Sequence, residues 1–548
     1  MSFFRCHIKF AMTGFMWFFW LSVSCITSGA QAQGGGSWQL VVKNAGIASM
    51  HTAVTHFGTV ILLDRTDIGP SQINLPNGTC RDDPSDLTST HDCTAHSVLF
   101  TLGPNTIRPL SIATDTWCSS GQFFPDGTLV QTGGDFDGNS KVRYFTPCVR
   151  GGNCDWVEAT DQQLQQGRWY ATNQILPDGR QIIVGGRFVY NVEFIPANGQ
   201  GTTELPFLHQ TDDFQHDNYY PFVHLIPDGN LFIFANRDSI LYNYITNAVV
   251  RQFDTIPGEP RNYPSAGSSV LLPLTSADGF SSAQVLVCGG AQLGAFANFP
   301  GAFAVASQTC GRIDVLTPNS TWAMETMPMP RTMGDMVLLP SGDVLIINGA
   351  QNGCSGWGNA KNAALNPVLY QPDAVVGQRF TTLTPTTIAR VYHSTANLLP
   401  DARVLVAGSN THQFYTFDGD FPTELRVEAF SPPYLNPASA GDKPRLFNPL
   451  TAVRYNTQFR LQVSVQNPPQ SNMQVNMVSA PFVTHSFSQG QRLMELTVVS
   501  QQFNATTNLY MISAIAPPNA VVAPPGYYMF FVLNKGLPSG AAWIKVSN

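Results

Sequence analysis

A short pattern recurs along the chain: a hydrophobic residue, then Pro-Asp-Gly or a close relative, then an alternating apolar segment ending in glycine. Five clear copies begin at Phe124, Leu176, Ile226, Leu339 and Leu399. Val285 to Gly290 supplies the strand of another copy with a longer turn before it, and a degenerate first copy surrounds Gly58. The steps between copies run from 50 residues (Asp178 to Asp228) to 60 residues (Gly289 to Gly349).

This pattern predicts repeated β-hairpins, because proline sets the first backbone angle of a tight turn and Asp-Gly tolerates positive φ. Glycine and proline are abundant, with 46 and 39 residues, which favours many short strands. A repeat of this length is typical of a kelch-type β-propeller with one four-stranded blade per copy. A sandwich with repeated hairpins would not keep the period over so much of the chain. We therefore expect an all-β chain with a seven-bladed kelch-type β-propeller.

Three segments are predicted along the chain. Residues 1–32 read as a signal peptide, because Arg5 and Lys9 precede an apolar stretch and Ala30-Gln31-Ala32 supplies a cleavage site. An uncleaved membrane anchor is the alternative. Residues 33–427 form the propeller, and residues 428–548 are predicted as an immunoglobulin-like β-sandwich. The strands expected there are Gln458–Val465, Gln474–Val478, Leu493–Val499, Leu509–Ala516 and Tyr527–Leu533, with a histidine-bearing loop at Pro481–Ser486.

If the protein is exported, its asparagines can be glycosylated and its cysteines can form disulfides. Asn77, Asn319 and Asn504 begin glycosylation sequons. Eight cysteines follow residue 32, and the pairs Cys80–Cys93 and Cys148–Cys154 are near enough in sequence to close short loops. The net charge of −7 comes without a basic run, so neither a nucleic acid nor stable membrane association is expected for the mature protein.

The register of the repeat gathers reactive side chains. Counting back seven residues from each turn proline gives Cys118, Tyr170, Tyr220, Met333 and His393, with Tyr392 directly before the last. Equivalent positions of radial repeats lie at equivalent places around the central axis. We therefore expect these residues to form a ring at one mouth of the propeller, where they either build a site or simply plug the channel.

At this point the sequence resembles the copper-radical oxidases, which include galactose oxidase and glyoxal oxidase. The plant glyoxal-oxidase-like branch is the most similar, and the resemblance covers nearly all of the mature chain. The motifs that carry it are Trp117-Cys118-Ser119, Arg168-Trp169-Tyr170, Arg390-Val391-Tyr392-His393-Ser394 and Val483-Thr484-His485. Each motif is weak alone, but their order and their register on the repeat make the combination specific.

The resemblance implies a role for each matching residue. Cys118 and Tyr170 would be joined by a thioether, giving a protein-derived radical cofactor, and Tyr170 would also ligate copper. His393 and His485 would supply imidazole ligands, with His485 coming from the C-terminal sandwich. Tyr392 would be the axial ligand and the base. Two nitrogens with phenolate oxygen and an open position suit Cu(II).

The chemistry requires such a pair of centres. Oxidation of an aldehyde or alcohol removes two electrons, whereas Cu(II) accepts one, so a second one-electron centre is needed. A sulfur-substituted phenolate is easier to oxidise than ordinary tyrosine. A free tyrosine, with a pKa of about 10, is a poor base, but contact with a metal ion favours its phenolate form. Dioxygen then reoxidises the site and is released as hydrogen peroxide.

Departures from galactose oxidase bear on the substrate. In galactose oxidase a tryptophan stacks on the crosslinked tyrosine, and the matching position here is Phe188. The N-terminal sugar-binding domain of galactose oxidase also has no counterpart. Both departures favour a small aldehyde of the glyoxal or methylglyoxal type, used with O2 by a protein secreted to the cell wall or apoplast if the source is a plant. The alternatives are a primary-alcohol or sugar oxidase using the same site, and a non-catalytic kelch binding module.

Overall fold

The computed structural model describes residues 34–197, 199–298 and 303–548. The predicted signal peptide, residues 1–32, lies outside the described residues. The described chain is almost entirely β, with a short α-helix at Pro206–Gln210. Single 3₁₀ turns lie at Pro76–Gly78, Phe136–Gly138, Ser276–Asp278, Pro433–Leu435 and Pro437–Asp442. No helix within these ranges is long and apolar enough to cross a membrane.

Seven antiparallel sheets follow one another through the repeat region, and we number them by their first strand. Sheet 1 contains His51–Val54, Thr59–Leu63, Ser97–Thr101 and Thr106–Leu110. Sheet 2 contains Ser120–Phe123, Leu129–Thr132, Val142–Phe145 and Trp156–Glu158. Sheet 3 contains Thr172–Ile175, Gln181–Val184, Asn191–Ile195 and Thr203–Glu204. Sheet 4 contains Phe222–Leu225, Leu231–Ala235, Asp238–Asn243 and Ala248–Gln252.

The remaining three sheets keep the same order of strands. Sheet 5 contains Ser268–Leu271, Gln284–Cys288, Thr309–Asp314 and Ala323–Thr326. Sheet 6 contains Asp335–Leu338, Val344–Ile347, Val368–Tyr370 and Phe380–Thr382. Sheet 7 contains Ser394–Leu398, Val404–Gly408 and Val427–Ser431, and its fourth strand is Ser37–Val42 from the start of the described chain. Small two-stranded ribbons lie at Arg81–Asp82 with His91–Asp92 and at Ala350–Gly353 with Ala360–Ala363.

The first strands of sheets 2 to 7 lie side by side, each in contact with the next, and the first strand of sheet 7 contacts that of sheet 1. Between sheets 1 and 2 the contact is made by the inserted strand Phe482–Thr484, which pairs with His51–Val54. The predicted boundary at residues 427 and 428 falls inside the strand Val427–Ser431, which belongs to sheet 7. The first strands are buried, so whatever begins each of them lies in the interior.

The turn chemistry of the repeat is as the sequence predicts. Asp126 Oδ1 accepts a hydrogen bond from the backbone N–H of Thr128 at 2.9 Å, and Gly127 has a φ of +89°, which glycine adopts without steric cost. Gly133, at the end of the second strand of sheet 2, has a φ of +71°. A Cβ there would lie 2.1 Å from the carbonyl oxygen of Arg168. Glycine therefore lets the chain that leads to Tyr170 pass close to sheet 2.

Beyond sheet 7, two further sheets form the C-terminal region. The seven-stranded sheet contains Leu274–Thr275, Leu493–Leu496, Gln474–Ser479, Gly526–Asn534, Ala542–Ser547, Ala452–Arg454 and Leu537–Pro538. The four-stranded sheet contains Arg445–Phe447, Gln458–Ser464, Leu509–Ile515 and Val498–Asn504. Two pairs of strands in the larger sheet are parallel, so the region is not purely antiparallel. The strand expected at Leu493–Val499 is divided, because Leu493–Leu496 and Val498–Asn504 belong to different sheets.

Both predicted disulfides, Cys80–Cys93 and Cys148–Cys154, are present. A third disulfide joins Cys288 to Cys310 across adjacent strands of sheet 5. Cys118 and Cys354 are free and buried. If Cys118 is used in a crosslink to another side chain, seven of the eight cysteines remain, and one of them must be unpaired. That one is Cys354, which packs against Ala291 and Ala295.

Candidate metal centre and cleft

The residues chosen by repeat register lie together at the entrances to the first strands. Cys118, Tyr170, Tyr220, Met333 and His393 are all buried and all have a left-handed φ between 49° and 67°. The backbone N–H of Tyr170 donates to the carbonyl of Cys118 at 3.0 Å, and that of Tyr220 donates to Tyr170 at 2.9 Å. These bonds between neighbouring sheets hold the side chains around a common axis.

Three possible metal ligands meet in this interior. The ligand atoms of Cys118, His393 and His485 all lie within 4.8 Å of one another. Cys118 Sγ lies 3.1 Å from His485 Nε2. Both ring nitrogens of His393 are buried and have no hydrogen-bond partner, which is costly unless something else satisfies them. A bound metal ion would supply the missing partner.

His485 reaches the axis on a β-hairpin, where the sequence predicted a loop. Phe482–Thr484 pairs with Phe487–Gln489, and the two residues between them, His485 and Ser486, have φ values of 44° and 67°. Positive φ at both central positions gives the turn twist that a two-residue hairpin needs. The hairpin is held because Gln489 Oε1 accepts a hydrogen bond from the backbone N–H of Asn173 at 3.0 Å.

A neighbour fixes the orientation of the His485 ring. Its Nδ1 lies 2.6 Å from Thr484 Oγ1, which leaves Nε2 directed at Cys118. A second hydrogen-bond partner of this kind sets the tautomer and the aim of an imidazole ligand.

The tyrosine hydroxyls form a chain beside these ligands. Tyr170 Oη lies 3.2 Å from Tyr263 Oη, which in turn lies 2.9 Å from Tyr392 Oη. The ring of Tyr392 stacks on His393 with centroids 3.9 Å apart. Tyr263 therefore joins the two tyrosines that the resemblance marks as functional, although no sequence motif included it.

Burial keeps every group of the site uncharged in the absence of a cation. Burial raises the pKa of the Cys118 thiol well above its usual range, although Tyr170, Arg65 and Trp169 act in the opposite sense. Burial likewise raises the pKa of the Tyr170 and Tyr392 hydroxyls, and neighbouring Cys118 and Tyr263 add to the effect. The pKa of both His393 and His485 falls well below the usual range because of burial. Both imidazoles are thus neutral, which is the form that binds metal ions.

The donor set fits copper. Imidazole nitrogens with phenol oxygen are ligands that Cu(II) accepts, and sulfur suits the reduced ion. One other group of possible ligands occurs among the described residues, at Cys80, His91 and Cys93. The two sulfurs of that group are bonded to each other in a disulfide. The cluster of Cys118, His393 and His485 on the propeller axis, called the axial site below, is therefore the better metal site.

A cleft with a volume of about 480 Å³ leads to Tyr170 and Tyr392. Its walls are mainly aromatic. They include Trp117, Trp169, Tyr219, Tyr263, Phe296 and Trp357, together with Arg187, Gln215 and His216. This cleft was not predicted from the sequence, although Trp117, Trp169 and Tyr219 each stand directly before a residue of the repeat register.

The stacking expected of Phe188 is not found. Phe188 is 50% exposed, and its ring meets His216 and Tyr219 edge-on, at centroid distances of 4.8 and 6.2 Å. The rings stacked on Tyr170 are instead those of Trp169 at 4.7 Å, Tyr263 at 4.5 Å and Tyr219 at 5.4 Å. Phe188 is one ring removed from Tyr170 because Tyr219 lies between them.

Comparison with known families matches both parts of the chain. Residues 50–434 match the family described as the glyoxal oxidase N-terminus. Residues 443–546 match the early set domain of galactose-oxidase-like proteins. The two matches are separated by residues 435–442, just beyond sheet 7.

Plant oxidases are among the relatives. An aldehyde oxidase of Vitis pseudoreticulata is 56% identical over 511 residues, covering 93% of this chain and 97% of the relative. An aldehyde oxidase of Arabidopsis thaliana is 43% identical, covering 95% of this chain and 86% of the relative. Among solved structures, a fungal alcohol oxidase in complex with copper is similar, with a TM-score of 0.70 at 17% identity. It covers 94% of this chain and 100% of its own length, which shows a common fold.

Proposed function

The chain belongs to the glyoxal oxidase family, within the copper-radical oxidases, and from this premise we propose that it oxidises small aldehydes to carboxylic acids at the axial site. For each aldehyde, one O2 and one water are consumed, and one carboxylic acid and one H2O2 are released. The observation that carries the proposal is the buried cluster of Cys118, His393 and His485 beneath an open cleft.

Each residue has a proposed part. His393 and His485 hold copper through imidazole nitrogens, and Tyr170 and Tyr392 add phenol oxygens. Cys118 is joined to the ring of Tyr170 by a thioether, which makes Tyr170 the site of a stable radical. The fit rests on the unpartnered nitrogens of His393 and on the direction of His485 Nε2.

The reaction divides between the copper ion and the side chains around it. When bound, copper would supply a one-electron acceptor for the substrate and a one-electron donor for dioxygen, and contact with it would favour the phenolate form of Tyr392. That phenolate oxygen takes the proton from the hydroxyl of the hydrated aldehyde, and the Tyr170 radical takes a hydrogen atom from the substrate carbon. Tyr263, which lies 2.9 Å from Tyr392 Oη, positions that oxygen.

The proposal extends to architecture and location. The closed succession of first strands supports a seven-bladed kelch-type propeller, ending after Ser431, followed by an immunoglobulin-like sandwich. Residues 1–32 would direct the protein out of the cell, to the wall or apoplast if the source is a plant. Asn77, Asn319 and Asn504 are exposed, as N-glycan acceptors must be.

Peroxide release by the copper-loaded, oxidised protein tests the function. Glyoxal, methylglyoxal, glycolaldehyde, galactose and simple primary alcohols are offered in turn, with Cys118→Ser as the matched variant. We expect peroxide from the aldehydes. The variant should keep its copper but turn over at least about 100-fold more slowly, an increase of about 2.7 kcal/mol in activation free energy. A preference for galactose or alcohols would mean that the substrate class is not small aldehydes. The absence of peroxide with every substrate would favour a non-catalytic binding module.

A further inference from the structure

The Tyr170 ring is next to an indole that could be oxidised in its place. Trp169 stacks on Tyr170 with ring centroids 4.7 Å apart. Trp117 meets Trp169 at 4.9 Å, and Trp357 stacks on Trp117 at 5.6 Å. Trp169, Trp117 and Trp357 line the cleft. Tryptophan and tyrosine side chains are oxidised at similar potentials, so this series of rings offers a route by which the oxidising equivalent could leave Tyr170.

An arginine guanidinium lies over the ring of Trp169, and another lies over the ring of Trp117. The Arg187 guanidinium carbon lies 4.8 Å from the centroid of the Trp169 ring. The Arg65 guanidinium carbon lies 4.2 Å from the centroid of Trp117 and 5.4 Å from that of Trp357. The two tryptophans nearest to Tyr170 are thus both covered by a cation.

A cation over an aromatic face stabilises the neutral ring and opposes a positive charge on it. Removing an electron from Trp169 would place a second positive charge within 5 Å of Arg187, and like charges at this distance repel. Partners weaken this effect for Arg65, because Asp67 Oδ1 lies 3.5 Å from its Nη1. Among the described residues, no carboxylate lies within ion-pair distance of Arg187, and the Asp135 carboxyl interacts with its charge only from farther away.

We propose that Arg187, with Arg65 behind it, confines the radical to Tyr170 and Cys118 by making the adjacent tryptophans hard to oxidise. This inference rests on the proposed function, which places a radical on Tyr170. Arg187 acts through Trp169 and does not touch the reacting atoms, so it is a positioning residue that keeps the radical on Tyr170. Its absence would allow one electron to pass from Trp169 to Tyr170. The oxidised indole would then react with dioxygen from the cleft that it lines, and the proton lost from the ring would leave through the water of that cleft.

The test uses the full-length, copper-loaded protein oxidised with ferricyanide and then freed of the oxidant. The decay of the tyrosyl absorption is followed without substrate in the wild type, Arg187→Gln and Arg187→Lys, and Trp169 is examined by peptide mass. Arg180→Gln is the matched control, because Arg180 also covers an aromatic ring, Phe194, at 5.2 Å, away from the cleft. Arg65 is fully buried, so the test avoids changing it.

We expect the radical of Arg187→Gln to decay about 10-fold faster than that of the wild type, with added oxygen on Trp169. Arg187→Lys should restore most of the lifetime, and Arg180→Gln should match the wild type. Wild-type decay in Arg187→Gln, or faster decay with Trp169 unmodified, would overturn the inference and leave the proposed function standing. A wild-type protein that forms no radical at all would overturn both.

Discussion

The sulfur of Cys118 lies 3.1 Å from Nε2 of His485, although the two residues are 367 positions apart in the chain. One belongs to the entrance of sheet 2 and the other to a hairpin from the C-terminal region. The site is therefore complete only when that hairpin is inserted between sheets 1 and 2. Burial keeps the Cys118 thiol and the His485 imidazole neutral, and the residues around this close pair can be tested by substitution.

Removing the hydroxyl of Tyr392 should separate proton abstraction from radical formation. In Tyr392→Phe we expect kcat to fall by about 10²–10⁴-fold, the usual contribution of a general base. The tyrosyl absorption of the oxidised protein should persist, because Tyr170 and Cys118 are unchanged. Steady-state peroxide assays and the absorption spectrum measure the two effects. A variant with the wild-type kcat would exclude Tyr392 as the base.

The hydroxyl of Tyr263 should matter although the residue is not a metal ligand. Tyr263→Phe removes the group between Tyr170 Oη and Tyr392 Oη, and a hydrogen bond of this kind is worth about 1.5 kcal/mol. We expect kcat to fall about 10-fold, with the copper content unchanged. Tyr219→Phe is the matched control, because Tyr219 also stacks on Tyr170 but its hydroxyl lies outside the chain of hydroxyls that joins Tyr170, Tyr263 and Tyr392. Equal losses in the two variants would mean that the rings matter and the Tyr263 hydroxyl does not.

Thr484 should tune copper affinity through His485. In Thr484→Val the bond to Nδ1 is lost, so the imidazole is no longer held in one tautomer, and we expect copper to bind about 10–100-fold more weakly. Thr52→Val is the control, because Thr52 lies opposite Val483 in the paired strand and its buried hydroxyl has no partner. Competitive titration with a copper chelator gives both affinities, and unchanged affinity in Thr484→Val would refute the assignment.

His224, away from the cleft, should make stability depend on pH. Burial lowers the pKa of its imidazole to about 3, so the folded protein holds it neutral while the unfolded chain takes up a proton below pH 6.5. Its contribution is complete above pH 6.5 and is lost as the pH falls towards 3. His224→Gln should therefore gain about 2.5 kcal/mol in the free energy of unfolding, relative to the wild type, between pH 7 and pH 4.5. Urea unfolding at both values measures this gain, and a pH-independent difference would contradict the prediction.

Much of the site could be predicted because the repeat carries its own register. Each turn proline lies seven residues after the axial position, so Cys118, Tyr170 and His393 could be placed together before any coordinates existed. The adjacent sheets then bring these positions into backbone contact, as the hydrogen bonds from Tyr170 to Cys118 and from Tyr220 to Tyr170 demonstrate. Local turn chemistry was sufficient for this part of the fold.

The parts that the sequence did not reveal depend on non-local pairing. Tyr263 lies three residues before Ala266, which is the position seven residues before Pro273, so counting along the repeat could not mark it. The hairpin that carries His485 pairs with His51–Val54, a partner more than four hundred positions away. Phe188 was chosen by counting along one strand, whereas the rings on Tyr170 come from the neighbouring residue Trp169 and from two other loops.

The most direct measurement is the peptide mass of the Cys118–Tyr170 pair in the copper-loaded protein. The account predicts that the peptides bearing these two residues are joined and weigh two hydrogen atoms less than their sum. The link should survive reduction of the disulfides and be absent from Cys118→Ser and from protein kept free of copper. Separate, unmodified peptides from fully copper-loaded, oxidised protein would contradict the central claim that Tyr170 and Cys118 form the redox cofactor.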